Sequence, residues 1–386
     1  MYKFGFGSGP VEPGYTPVLP STAYSSSRGY GFASPTGLAS YDRGAPDALR
    51  RDLITNSSRF TFKVDVPNGN YNVTVTLGDH IATSATTIKA GDGRIVVDKL
   101  ITAAGQFAQR AFTVNVRDGQ LNLEFSWIAP KINAVQIEMV DAVTIFLAGD
   151  STVCDQPPMS DPYIGYGVWG QMLTLYFNPR VAIANYANSG ESTVSFWNKF
   201  YPGMRNHIQA DDYVFIQFGH NDEKGVDIPT FRRYLKMYID DARQRKAIPV
   251  LITPVARRNF DSSGHLVDTH QDYPAVMGLV FTDPDGNPVD THGDYPAAMR
   301  QVAVEQNVAL IDLTAKSMAY FQSLGVEGTK SIFFFLDPQV SPDYPEGVED
   351  NSHFSVSGAI QVAWLVAEGI RERNIQPLAS YLSSNP

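Results

Sequence analysis

The sequence predicts two domains of different class: an all-β sandwich over residues 1–140, and over residues 141–386 an α/β domain with a parallel sheet and helices on both faces. Three observations carry this. The chain has 386 residues, more than one typical domain. Its first third alternates apolar and polar residues with period two. After Asp141 short, wholly apolar runs take turns with longer stretches of helical period, the pattern of strands buried on both faces.

In chain order, residues 60–66 alternate strictly, Pro67-Asn-Gly-Asn70 reads as a turn, and residues 71–77 alternate again. Further strands are predicted at 94–97, 109–116, 121–127 and 134–140, with turns at Gly91-Asp-Gly93 and Asp118-Gly119. The apolar runs of the second domain are 143–148, 181–185, 213–218, 248–253 and 308–310. A helix over 230–246 carries Phe231, Leu235, Tyr238 and Ala242 on one stripe. A last helix is predicted over 356–370, capped by Ser355. No flexible linker separates the domains near residue 141, so a firm contact between them is expected, and the sandwich either covers the second domain or binds a polymer.

Composition removes several function classes. Hydrophobic residues make up 43%, enough for a real core, which argues against disorder. No apolar run approaches the roughly 18 residues of a membrane span, so no membrane partner is expected. A net charge of −10 argues against nucleic acid. Cys154 is the single cysteine, so no disulfide forms within the chain. The seven histidines show no paired ligand spacing, and no metal or cofactor is expected, although a structural calcium in the sandwich stays open. Residues 1–10 show no signal-peptide pattern.

In open α/β sheets, catalytic groups gather beyond the carboxyl ends of the strands. The residues found there are Gly149-Asp-Ser-Thr152, Asn188-Ser-Gly-Glu-Ser192, Gly219-His-Asn-Asp222 and 254–259 with Arg257 and Arg258; Asp350-Asn-Ser-His353 precedes the last helix. These types suit acyl transfer. A serine hydroxyl needs a base to take its proton, a histidine serves as that base, and a carboxylate holds the imidazole tautomer. Backbone N–H groups at a glycine turn and an asparagine amide suit an oxyanion. Asp350 and His353 are three apart, so one short loop is expected to present both. Singly, Ser151 reads as a helix cap, Gly190 as a turn glycine, Asn221 as an Asx turn, and Asp350 with His353 as surface residues. Together they favour chemistry, because separate loops carry them to one sheet edge.

Those residues resemble the four blocks of the SGNH, or GDSL-type, hydrolases. The fuller strings at 148–153, 168–171, 188–192, 215–222 and 350–354 resemble rhamnogalacturonan acetylesterases over roughly residues 143–375. The resemblance implies a flavodoxin-like sheet, Ser151 as nucleophile, His353 as base and Asp350 as its orienting acid. It implies an oxyanion hole from the Ser151 N–H, the Gly190 N–H and the Asn221 side chain. The expected substrate is an acetylated plant cell-wall polysaccharide met outside the cytoplasm, with secreted or periplasmic location. An esterase for another glycan such as xylan, or a carbohydrate-binding protein, stays open as an alternative; a lipase is less expected, since no long apolar lid stands out. The stretch Phe4–Val11 with residues 29–32 resembles the galactose-binding-like sandwiches of pectin-degrading enzymes.

Two features stand apart from that pattern. The acidic balance opposes a polyanionic polymer, so Lys224, Arg257 and Arg258, which follow strands at the catalytic edge, are candidate contacts for galacturonate carboxylates. Their plain alternative is solvated loop charge. Residues 267–275 recur almost unchanged at 289–297, where the resembled family carries one such segment. A local duplication that lengthens the loop after the fourth parallel strand is expected, with a short helix from the first copy and a full helix from the second. It either serves binding or is a tolerated insertion.

Overall fold

The computed structural model describes residues 1–91, 93–156, 164–266 and 295–383. The turn residue Asp92, the first repeat copy at 267–275 and most of the second copy lie outside the described residues. The chain forms two compact units: Met1–Ala142 with Phe177–Ile183 and Ser383–Pro386, and Val143–Tyr176 with Ala184–Leu382.

The first unit is all β. One five-stranded sheet has the order Phe107–Val116, Gly69–Gly78, Ala134–Met139, Tyr2–Phe6, Thr16–Val18. The other has the order Tyr30–Phe32, Phe60–Asp65, Gln120–Ile128, Ser84–Ala90, Arg94–Thr102. The alternation read at 60–66 is real: Phe60, Phe62 and Val64 are buried while Thr61, Lys63 and Asp65 are half-exposed. Phe62 meets the rings of Phe4, Phe6 and Phe32 at 5.1, 4.9 and 5.6 Å between centroids. The turn at Pro67 joins strands of different sheets, so the chain crosses the core there rather than folding back on itself.

A further five-stranded sheet, in the second unit but for residues 181–183, has the strands Val143–Ala148, Val181–Asn185, Tyr213–Ile216, Ile248–Ile252 and Ala309–Ile311, with the first, third, fourth and fifth paired in parallel. The second strand lies outside the first, and the third, fourth and fifth follow on its other side, which is the flavodoxin-like order. All five residues of Val181–Asn185 and all four of Tyr213–Ile216 are buried, as a sheet covered on both faces requires. Helix Ile228–Gln244 begins earlier than its stripe suggested, because Asp227 caps it and Pro229 fits its first turn. Phe231, Leu235, Tyr238 and Ala242 are all buried on it. Helix Tyr295–Glu305 begins within the second repeat copy. Ser355 caps the helix Val356–Glu372 by accepting from the Gly358 N–H at 3.1 Å.

One expectation is corrected. Asp350 and His353 sit on a strand, Val348–Ser355, rather than a short loop. It pairs antiparallel with Phe333–Leu336 and with Tyr166–Gly167. Six of its eight residues are polar, so no apolar alternation marks it in the sequence; in the apolar partner Phe-Phe-Phe-Leu, Phe333 and Phe334 are buried. Among the described residues no helix is long and apolar enough to cross a membrane.

Candidate active site

The first parallel strand ends at Ala148, and the chain turns through Gly149 and Asp150 to bring out half-buried Ser151. The Ser151 Oγ lies 2.8 Å from His353 Nε2, and His353 Nδ1 lies 2.9 Å from Asp350 Oδ2. The other Asp350 oxygen accepts the N–H groups of Ser352 and His353 at 2.7 and 2.9 Å. Burial alone would raise the Asp350 carboxyl, but the His353 ring and these N–H groups outweigh it and hold it below the usual range. An ionised carboxylate only accepts, so the Nδ1 of His353 carries the hydrogen and its bare Nε2 accepts from the Ser151 hydroxyl.

The donors expected for an oxyanion lie on two further turns. Gly190 has φ +78°, the left-handed region in which a side chain costs most. Two residues on, Ser192 opens the helix Thr193–Lys199 with a reciprocal cap to Ser195. Asn221 donates from Nδ2 to the Glu191 carbonyl at 3.2 Å, which brings its amide beside the Gly190 turn. Its Oδ1 accepts from Lys224 Nζ at 2.9 Å. The N–H groups of Ser151 and Gly190 have no acceptor among the described residues. Gly219, at φ +146°, lets the Asn221 turn pass Pro254, where a Cβ would meet the ring at 2.8 Å.

Beneath the site runs a buried polar chain that sequence reading left without a role. Trp169 Nε1 donates to Gln217 at 2.8 Å, Gln217 Nε2 to Thr152 Oγ1 at 2.7 Å, and Thr152 Oγ1 to Asp150 at 2.8 Å. The second Asp150 oxygen stands 3.3 Å from His220 Nδ1, and His220 Nε2 lies 3.0 Å from the Val255 carbonyl. Each of the side chains Trp169, Gln217, Thr152, Asp150 and His220 falls inside a string that carries the family resemblance, which was the available signal. Tyr166 gave none: it lies on a two-residue strand, and its ring stands edge-on to His353 at 5.7 Å.

The three candidate substrate contacts are all engaged within the site. Lys224 holds Asn221. Arg257 reaches the buried Glu223 at 2.8 Å, and Arg258 reaches Asn351 at 3.0 Å. Burial pushes Glu223 up to about 7 against the pull of Arg257 and His220.

Residues 147–358 match the GDSL-like lipase/acylhydrolase family, and residues 2–127 match the beta-agarase/YXIM esterase-like, galactose-binding domain-like family. Rhamnogalacturonan acetylesterase RhgT of Bacillus subtilis is 39% identical over 250 residues, 64% of this chain and 97% of that protein. The uncharacterized esterase YxiM of Bacillus subtilis is 31% identical over 395 residues, 97% of this chain and 92% of its own length. The crystal structure of Bacillus subtilis YxiM aligns with a TM-score of 0.50 at 28% identity, covering 97% of this chain and 99% of that one.

Proposed function

The chain belongs to the GDSL-like lipase/acylhydrolase family and is a carboxylic-ester hydrolase; on that premise we propose that it removes O-acetyl groups from an acetylated plant cell-wall polysaccharide, rhamnogalacturonan first. The observation that carries the chemistry is the relay from Ser151 through His353 to Asp350, at 2.8 and 2.9 Å. Ser151 Oγ attacks the acetyl carbonyl while His353 Nε2 takes its proton. The resulting oxyanion takes hydrogen bonds from the N–H groups of Ser151 and Gly190 and from Asn221 Nδ2. The tetrahedral intermediate expels the sugar oxygen, which leaves with the proton from His353. Water, activated by the same histidine, then releases acetate and restores Ser151. Asp350 holds the imidazole tautomer and stabilises the cation formed at each proton transfer.

The sugar is argued from kinship: RhgT carries rhamnogalacturonan in its name, and 97% of its length matches this chain at 39% identity. Such a polymer is met outside the cytoplasm, so secretion or a periplasmic location belongs to the same proposal. The test measures acetate release from acetylated rhamnogalacturonan, acetylated xylan and acetylated chitin oligomers with one preparation. The expected order puts rhamnogalacturonan first in kcat/KM; preference for either other polymer overturns the substrate. Ser151→Ala is expected to abolish turnover with the fold unchanged, apart from a low residue left by the oxyanion donors. Turnover near that of the parent would remove Ser151 as nucleophile.

A further inference from the structure

We propose that Arg257 and Arg258, neighbours on the segment after the strand Ile248–Ile252, are positioning residues, one for each half of the site: Arg257 for the oxyanion turn and Arg258 for the acid–base strand. The assignment rests on the roles given above to Asn221, Asp350 and His353. It replaces the part that these arginines were expected to play as contacts for substrate carboxylates.

Arg257 grips the chain on both sides of Asn221. Its Nη2 donates to the His220 carbonyl at 3.4 Å and to Glu223 Oε1 at 2.8 Å. The pair is withdrawn from water, with side-chain exposures of 16% and 6%. A charge-assisted bond in such a setting is stronger and less screened than one at the surface. Asn221 is thus bracketed from behind while its own amide faces the Gly190 turn.

Arg258 grips the neighbour of Asp350. Its backbone N–H donates to the Asn351 carbonyl at 2.8 Å, and its Nη1 to Asn351 Oδ1 at 3.0 Å. Its Nε donates to Thr329 Oγ1 at 3.0 Å, and its Nη2 to the Val326 carbonyl at 2.8 Å. The face of the guanidinium lies over the Phe335 ring at 4.9 Å, on the strand that pairs with the one carrying His353. Three nitrogens and one face are therefore committed to protein. A guanidinium kept for a substrate carboxylate would present its planar fork outward with paired donors free.

The physical consequence is registration. The nucleophile turn, the oxyanion turn and the strand Val348–Ser355 come from distant parts of the sequence, and displacements of about 1 Å at such a site cost up to about 10²-fold in rate. One short segment tied to both the oxyanion turn and the acid–base strand sets their separation directly.

The experiment uses the full chain with Arg257→Gln, Arg258→Gln and Arg258→Lys, assayed on p-nitrophenyl acetate and on acetylated rhamnogalacturonan. Each glutamine variant is expected to lose kcat on both substrates, by up to about 10²-fold, with KM unchanged. Lysine does not rescue Arg258, because an ammonium cannot form the fork. Arg258→Gln also moves the acid limb of kcat/KM to lower pH, since a loosened Asp350 stabilises the imidazolium less; Arg257→Gln leaves that limb in place. The loss from Arg258→Gln shrinks in an Asp350→Asn background, and the loss from Arg257→Gln shrinks in an Asn221→Ala background. Asn351→Ala removes only the carboxamide that Arg258 holds and carries the same expectation should Arg258→Gln fail to fold. A rise in KM confined to the acidic polymer, with p-nitrophenyl acetate kinetics unchanged, overturns the assignment in favour of substrate contact. Losses undiminished in both backgrounds overturn it in favour of a general structural role. Turnover retained by Ser151→Ala would instead fell the catalytic reading beneath it.

Discussion

Two carboxylates beside the site are wholly buried, yet their surroundings drive them apart. Burial opposes ionisation of Asp150, but His220 and the Thr152 N–H and hydroxyl outweigh it, so Asp150 lies below the usual range. Asp222 accepts from the Thr193 N–H and hydroxyl on one oxygen only. Burial, aided by the Asp150 charge, pushes it up to about 7 despite those bonds. The folded state therefore holds a proton that the unfolded chain releases near 3.8. That contribution to stability is fully present below 3.8, is lost as pH rises through about 7, and is constant above. Asp222→Asn is expected to flatten part of the fall in urea midpoint over that window; parallel wild-type and variant curves would sink the idea. Asn221→Ala is expected to lower kcat by roughly 10²–10³ at unchanged KM, as loss of one oxyanion donor does. If KM alone moved, Asn221 would be a substrate contact. That Ser151, His353 and Asp350 would meet, with Asn221 beside the Gly190 turn, was legible because acyl transfer would ask for those residue types together. Arg258 was not, since an arginine after a strand reads the same whether it meets a substrate or Asn351.

At the scale of elements, the helix Val356–Glu372 shows how local chemistry supports the site. Ser355 stands two residues after His353 and gives its Oγ to the Gly358 N–H as N-cap, while its hydroxyl reaches the Ser331 carbonyl at 2.9 Å. Ser355→Ala is expected to cost about 1 kcal/mol, within the range of a lost N-cap. A denaturant midpoint within error of the parent would show that neighbouring contacts carry the helix start without it. This helix and the parallel strands were readable because burial repeats along them with a regular period. The small antiparallel sheet was not readable: Tyr166–Gly167 has two residues, and Val348–Ser355 is mostly polar, with a partner strand that lies elsewhere in the chain. Ser84–Ala90 escaped for the opposite reason, since six of its seven residues are buried and no alternation remains.

For the whole molecule, the two units have separate apolar cores, one built on Phe4, Phe6, Phe32 and Phe62 and the other on residues such as Phe196, Phe218 and Tyr238. The change of period near Asp141 makes the two classes of structure visible in the sequence, because a sheet with one wet face and a sheet covered on both faces pattern their residues differently. A chain with two cores need not unfold in one step. Phe62 is fully buried and touches three other phenylalanine rings, so Phe62→Ala removes packing that the sandwich cannot close over. The expected cost is about 3–5 kcal/mol, as for other buried phenylalanines. Every residue of the proposed relay and of its oxyanion donors lies in the second unit. Calorimetry is therefore expected to show the transition of the sandwich at lower temperature in Phe62→Ala, while kcat on p-nitrophenyl acetate, measured below that transition, stays at the parental value. A fall in kcat at a temperature where circular dichroism still reports an intact fold would mean that the sandwich takes part in turnover itself. Its part would then have to be sought in the chemistry rather than in polymer binding.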